Sequence, residues 1–259
     1  MEPPRLAVGR MKILVANPNT STGVTERLVA SAALVASPGT ELIAMTAPRG
    51  VPYIATRAEA AIGAAVMLEM LAEKRGTFDG AICAAFGDPG LGGARELFDF
   101  PIVGMAEAAM LVACTLGRSF SIVSFSKSLE PWFAEIVAWH GLSGRCAAIR
   151  MLDGTFKSID EVQEEKEQLL VDLANRTVAK NGADVVILAG APLAGLANKI
   201  RDRVPVPLVD GIQAAVTMAE GLVRMNPRKA TEGTYRRPGP KDSKGLSKAL
   251  ADVIAHRDA

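Results

Sequence analysis

The chain has 259 residues, 49% of them hydrophobic and 22% charged, the composition of an ordinary globular protein long enough for two substantial cores. Lys and Arg (29) nearly balance Asp and Glu (28), for a formal charge of +1, so there is no electrostatic case for nucleic acid or an anionic membrane as partner. Three cysteines, Cys83, Cys114 and Cys146, lie in apolar runs without a CxxC pair and read as unpaired buried thiols of a cytoplasmic protein.

Residues 1–10 lack the apolar core of a signal peptide and read as an extension ahead of the first strand. From there, short apolar or β-branched runs alternate with longer amphipathic ones. A strand at 12–16 precedes a helix at 21–36, and a strand at 41–46 precedes a helix at 57–75. Strands at 80–85 and 102–103 are followed by helices at 90–97 and 105–116. The pattern then starts again: strands at 120–124, 146–151, 185–189 and 208–209 alternate with helices at 129–139, 159–181, 193–201 and 211–225. The apolar helix at 105–116 contains Glu107 and is too short to span a bilayer. A Pro-, Gly- and Arg/Lys-rich crossing at 226–243 leads to a last short helix at 245–256. Repeated βα units predict α/β architecture with parallel sheets covered by helices.

The second half repeats the first. Residues 101–110 (Pro-Ile-Val-Gly-Met-Ala-Glu-Ala-Ala-Met) pair without gaps with 207–216 (Pro-Leu-Val-Asp-Gly-Ile-Gln-Ala-Ala-Val), at an offset of 106. Residues 79–85 pair with 184–190 at an offset of 105, which sets Ala85 opposite Gly190. Two Rossmann-like lobes related by a pseudo-twofold follow, one from 11–115 plus 212–259 and the other from 116–211. Ligands of open α/β sheets bind beyond the carboxyl ends of the strands, so the expected site is the seam where equivalent strand ends meet.

Five strand-end loops supply the candidate residues. Asn17, Asn19, Thr20 and Ser21 open the first helix, where amide and hydroxyl groups can bind a carboxylate or a developing oxyanion, or simply cap the helix. Tyr53 lies on a loop that can cover the pocket. Ala85, Phe86, Gly87 and Asp88 end the third strand, and Asp88 reads either as a catalyst or as a cap for the helix after Gly90. Ser124, Ser126 and Lys127 end the strand that opens the second half; a crevice lysine can act as base or nucleophile, and a solvated one does neither. Gly190, Ala191 and Pro192 mirror the Ala85 turn, and Asp210 opens the last core helix as ligand or cap. His140 and His256 have no carboxylate or thiol at ligand spacing, and no GxGxxG or phosphate loop follows a strand, so neither metal nor nucleotide cofactor is expected.

The runs Asn17-Pro18-Asn19-Thr20-Ser21, Phe86-Gly87-Asp88-Pro89-Gly90-Leu91, Ala106-Glu107-Ala108-Ala109-Met110 and Val209-Asp210-Gly211 resemble the hydantoin and allantoin racemase branch of the aspartate/glutamate racemase superfamily, in order and from about Met11 to Leu246. The resemblance implies cofactor-free proton transfer at a carbon beside a carbonyl, with one cysteine on each face of a small-molecule substrate. It also implies a homo-oligomer, whose copy number nothing in the chain fixes. This sequence departs from that pattern at both cysteine positions, which are Ala85 and Gly190. Cys83 points to the same side as Ala85 but lies about 6–7 Å deeper at ~3.3 Å per residue, out of reach for proton transfer. The expectation is therefore a cofactor-independent enzyme acting on a small carboxylate or cyclic ureide by non-thiol chemistry, of lyase, ring-opening or isomerase type, with Asp88, Ser124 and Lys127 as candidate catalysts. Two alternatives stay open: a catalytically silent ligand-binding or regulatory relative, and a racemase with relocated acid–base groups.

Overall fold

The computed structural model describes residues 10–257. The expected 1–10 extension therefore lies, apart from Arg10, outside the described residues. The first sheet contains β1 (Met11–Asn17), β2 (Thr40–Thr46), β3 (Gly80–Cys83) and β4 (Ile102–Gly104), all parallel, in the order β2-β1-β3-β4. The second contains β5 (Phe120–Ser124), β6 (Cys146–Met151), β7 (Val185–Leu188) and β8 (Leu208–Asp210), in the equivalent order β6-β5-β7-β8. Register follows the sequence repeat: Cys83 pairs with Gly104 in the first sheet, and Leu188 with Asp210 in the second. The two sheets are copies of one plan, as the α/β duplication requires.

Eight helices fall into the same correspondence. In the first half they are α1 (Thr22–Ala33), α2 (Arg57–Lys74), α3 (Leu91–Leu97) and α4 (Met105–Leu116). Their counterparts are α5 (Glu130–Trp139), α6 (Val162–Asn181), α7 (Leu196–Ile200) and α8 (Gly211–Met225), and α9 (Lys248–Ile254) then packs on α2. The last helix of each half reaches across the seam. Helix α4 packs on β7 and β8, while α8 packs on β1, β3 and β4 and against α4 itself. Ile13, Val15, Ile82 and Val103 face this shared core, and Leu14, Ala16, Ala81 and Cys83 face a separate core under α2, α3 and α9. The alternation of a buried strand thus fixes which side chains look toward the seam and which look away. Among the described residues no helix is long and apolar enough to cross a membrane.

Among the boundaries that differ from expectation, three have a clear local reason. The strand expected at 80–85 stops at Cys83 because the chain turns sharply at Gly87, whose φ is +134°. The helix expected at 193–201 is split. A 3-10 turn at Ala191–Leu193 gives way to Gly195 at φ +88°, and only then does α7 begin. Helix α5 starts only after a 3-10 turn at Lys127–Leu129, with a proline in its first turn.

Candidate ligand site between the lobes

The 17–21 loop is a prefabricated wall. The Asn17 side-chain amide donates to Asn19 Oδ1 (3.0 Å), Thr25 Oγ1 (2.9 Å) and the Ser21 carbonyl (3.2 Å), all buried. Ser21 caps α1 by accepting from Val24 N at 3.1 Å, and its hydroxyl donates across the seam to Asp160 at 2.8 Å. Thr20 N donates to the Val51 carbonyl at 2.9 Å, which ties down the loop carrying Tyr53. Asn17, Thr20 and Ser21 are thus occupied with shaping the wall, and only Asn19 of this group faces the space between the lobes.

That space is a cavity of about 30 Å³, the share of a single water molecule in the liquid. Ala85 and Gly190 both line it, as the sequence register requires. Phe86, Ala191 and Pro192 complete the two strand-end turns, Tyr53 and Ile54 cover one side, and Leu129, Trp132 and Phe133 close another. Phe86 and Phe133 lie with ring centres 4.8 Å apart, and Tyr53, Phe125 and Phe156 form a second aromatic group with centres 5.4–5.9 Å apart.

Gly190 carries the tightest backbone constraint in the cavity wall. Its φ of +116° belongs to glycine, and a β-carbon added there would stand 2.9 Å from Cε1 of Phe125, a buried ring. No thiol can sit at this position without moving both the backbone and Phe125. Cys83, for its part, is buried on the far face of β3. Its thiol is directed at the Pro89 carbonyl (3.5 Å), and burial, reinforced by the Asp88 charge, pushes its pKa well above the usual thiol value. It is a packing residue with no view of the cavity.

The three residues expected as catalysts are each engaged elsewhere. Asp88 does not cap the helix after Gly90. At φ +48° its carboxylate turns to the start of α4 and accepts from Ala106 N (2.9 Å) and Glu107 N (2.8 Å). Gly104, the residue before α4, makes this possible, since any β-carbon there would collide with the Asp88 carboxylate. Ser124 donates to the Ala189 carbonyl at 2.7 Å and ties β5 to β7. Lys127 is exposed, 3.5 Å from Asp153; Ser126 pairs with Ser128 at 2.9 Å. Asp210 mirrors Asp88: it caps α8 through Ile212 N (3.0 Å) and also accepts from Gly195 N (2.5 Å) and Ser31 Oγ (3.1 Å). Burial raises the pKa of both aspartates, against the opposing pull of these donors. One buried carboxylate per half therefore fixes a helix start beside the seam.

Sequence reasoning missed a cluster around His140. The fold brings this residue, set aside as isolated, to 3.4 Å from Asp88 and 3.6 Å from Glu107, with its Nε2 buried and outside hydrogen-bond geometry. Glu107 is also paired with Arg95 Nη1 at 2.8 Å; burial would raise its pKa, but the guanidinium outweighs burial and lowers it. No local signal marks this group, because its members come from four separate elements. His256 Nε2 lies 2.9 Å from the Pro238 carbonyl near the surface. Among the described residues no group of three or more His, Cys, Asp or Glu gathers to hold a metal ion.

Among the described residues, Tyr53 is the one titratable side chain that lines the cavity. Its hydroxyl is buried with no partner in hydrogen-bond geometry, and burial pushes the phenol well above its usual pKa, outweighing the opposing pull of Ser126. It holds its proton at neutral pH and can donate a hydrogen bond, but it cannot serve as a base.

The family model of the Asp/Glu/hydantoin racemases matches residues 13–219. The chain belongs to this family. It is 32% identical to a hydantoin racemase of Paenarthrobacter aurescens over 233 residues, covering 89% of this chain and 99% of that one. Among solved structures, an allantoin racemase from Klebsiella pneumoniae superposes with a TM-score of 0.87 at 33% identity, covering 93% and 98% of the two chains. One from Pseudomonas fluorescens gives 0.84 at 34% identity, covering 91% and 100%. Within this family frame, the cavity offers hydrogen-bond donors and apolar rings but no pair of acid and base.

Proposed function

We propose that this family member binds a small neutral ring of the cyclic ureide class between its lobes and does not racemise it. The observation that carries this reading is Gly190: its φ of +116° and the Phe125 ring, 2.9 Å from any added β-carbon, both oppose a side chain there, and Ala85 stands on the facing turn. Moving a proton from one face of a carbon to the other needs an acceptor and a donor at hydrogen-bond range, each contributing roughly 10²–10⁴-fold. Among the described residues, the cavity lining contains no carboxylate, thiol, imidazole or amine to supply them. The same lining argues for a neutral ligand over a carboxylate, because burying an unpaired anion costs several kcal/mol. Asn19 and Tyr53 offer donors to ring carbonyls, and the relatives named as hydantoin and allantoin racemases make cyclic ureides the first class to test. Isothermal titration with enantiopure 5-methylhydantoin, enantiopure allantoin and a substituted malonate, the two chiral ureides then followed by polarimetry, tests the proposal. Saturable binding of a ureide with constant optical rotation supports it. Preferential binding of the malonate, or loss of rotation, refutes it.

A second reading, non-thiol catalysis, draws support from the unpartnered Tyr53 hydroxyl. A buried phenol that keeps its proton can stabilise an oxygen acquiring negative charge. That reading expects turnover of some ureide or malonate by the wild type and its loss in Tyr53→Phe with ligand affinity largely retained.

A further inference from the structure

We propose that Trp132 is the residue that sets which ring the inter-lobe cavity accepts, by filling with its own indole the room a ring substituent would take; this rests on the binding reading above. The indole lies on Gly87, whose φ of +134° and missing β-carbon let the ring seat directly on the backbone of the Ala85 turn. Any side chain at residue 87 would overlap Trp132, so the two residues are fitted to each other. Trp132 is 7% exposed, and with its ring in place the cavity keeps only about 30 Å³, whereas a dry apolar cavity of about 150 Å³ admits benzene.

The wall that carries Trp132 is also the weakly tied one. The opposite wall, at 17–21, is held by the Asn17 amide bonds and by the Ser21 cap on α1. Its counterpart around Trp132 is held further along α5 by the Arg57–Glu135 ion pair, but its first turn has no such frame. Neither the 3-10 turn at Lys127–Leu129 nor α5 has a side-chain cap, and Lys127 reaches only the exposed Asp153. Backbone groups at an uncapped helix start are easier to shift than those of a capped one. The first turn of α5, carrying Leu129, Trp132 and Phe133 into the cavity, is therefore the wall that parts to admit a ring.

The experiment compares wild type with Trp132→Ala and Trp132→Phe, using indole, hydantoin and 5-benzylhydantoin as probes. Indole at millimolar concentration is expected to raise the Tm of Trp132→Ala by several degrees and leave wild type unchanged, as ligand linkage requires. 5-Benzylhydantoin is expected to bind Trp132→Ala at least tenfold more tightly than wild type by titration calorimetry, while hydantoin changes less. An equal indole response in both proteins, or measurable and equal affinity for 5-benzylhydantoin, overturns the proposal. Should Trp132→Ala not fold, Trp132→Phe is expected to tighten 5-methylhydantoin binding, and unchanged affinity there overturns the proposal as well. If indole stabilises only Trp132→Ala and no ureide binds either protein, Trp132 stands as the plug and the ureide reading falls.

Discussion

Restoring a cysteine at residue 190 exposes the difference between a lost side chain and a rebuilt site. In Gly190→Cys the new β-carbon must either adopt φ near +116° or force the turn to change; holding a non-glycine residue in such a region costs about 1–3 kcal/mol. It must also displace the Phe125 ring, whose Cε1 would lie 2.9 Å away, and overpacking of this kind adds about 1–3 kcal/mol. The total is roughly 2–6 kcal/mol, equivalent to a Tm lower by about 5–20 °C for a chain of this size. Ala85→Cys is the matched control: residue 85 faces the cavity with no strained φ, and the change is expected to stay within about 1 kcal/mol. Differential scanning calorimetry on the two variants gives the comparison directly. The variant carrying both Ala85→Cys and Gly190→Cys is expected to show no protein-dependent exchange of the C5–H proton of 5-methylhydantoin in D₂O, because the second sulfur has no seat. A Gly190→Cys protein melting with the wild type would refute the claim that Phe125 and the backbone exclude a side chain there.

Asp88→Ala leaves two backbone N–H donors at the start of α4 without their carboxylate acceptor and should cost about 1–2 kcal/mol in urea unfolding. The carboxyl of Asp88 also carries a pH signature. Its folded pKa is raised by burial, so the folded state holds this proton more tightly than the unfolded state. Stability from this group is therefore greatest below the ordinary carboxylate pKa and falls as pH rises toward the raised folded value. Asp88→Asn should flatten the slope of unfolding free energy against pH in that window; an unchanged slope contradicts the assignment. Arg95→Met strips Glu107 of its guanidinium and should destabilise by about 2–4 kcal/mol, since a largely buried charge loses its partner; a shift within about 0.5 kcal/mol, the range of surface substitutions, would show that the pair is solvated. Cys83, fully buried with its pKa raised, should escape alkylation by iodoacetamide in the native protein and label only after unfolding, as read by mass spectrometry; rapid native labelling would place a reactive thiol near the site.

Much of the scaffold is legible in the chain because its physics is local. Alternating apolar runs give the βα order, and the 105–106 offset between halves reappears as matched register at Cys83–Gly104 and Leu188–Asp210. Elsewhere the decisive interactions span long stretches of sequence. The split of the expected helix at 193–201 depends on Gly195 in a left-handed turn whose N–H is claimed by Asp210. Asp88 reads as a cap, but the helix it caps starts beyond Gly104, and only the fold shows that the missing side chain there makes room for it. His140 gains meaning only when the end of α5 is set against Asp88 and Glu107. Glycine at 190 is ambiguous on paper between a mere loss and a requirement. Phe125, distant in sequence and unremarked there, makes it a requirement.

The central claim is that no proton crosses from one face of a bound ring carbon to the other. Enantiopure 5-methylhydantoin or allantoin incubated with the protein in D₂O, followed by proton NMR and polarimetry, measures this directly. The account predicts deuterium uptake and loss of rotation no faster than in buffer alone; exchange that scales with protein concentration would contradict it.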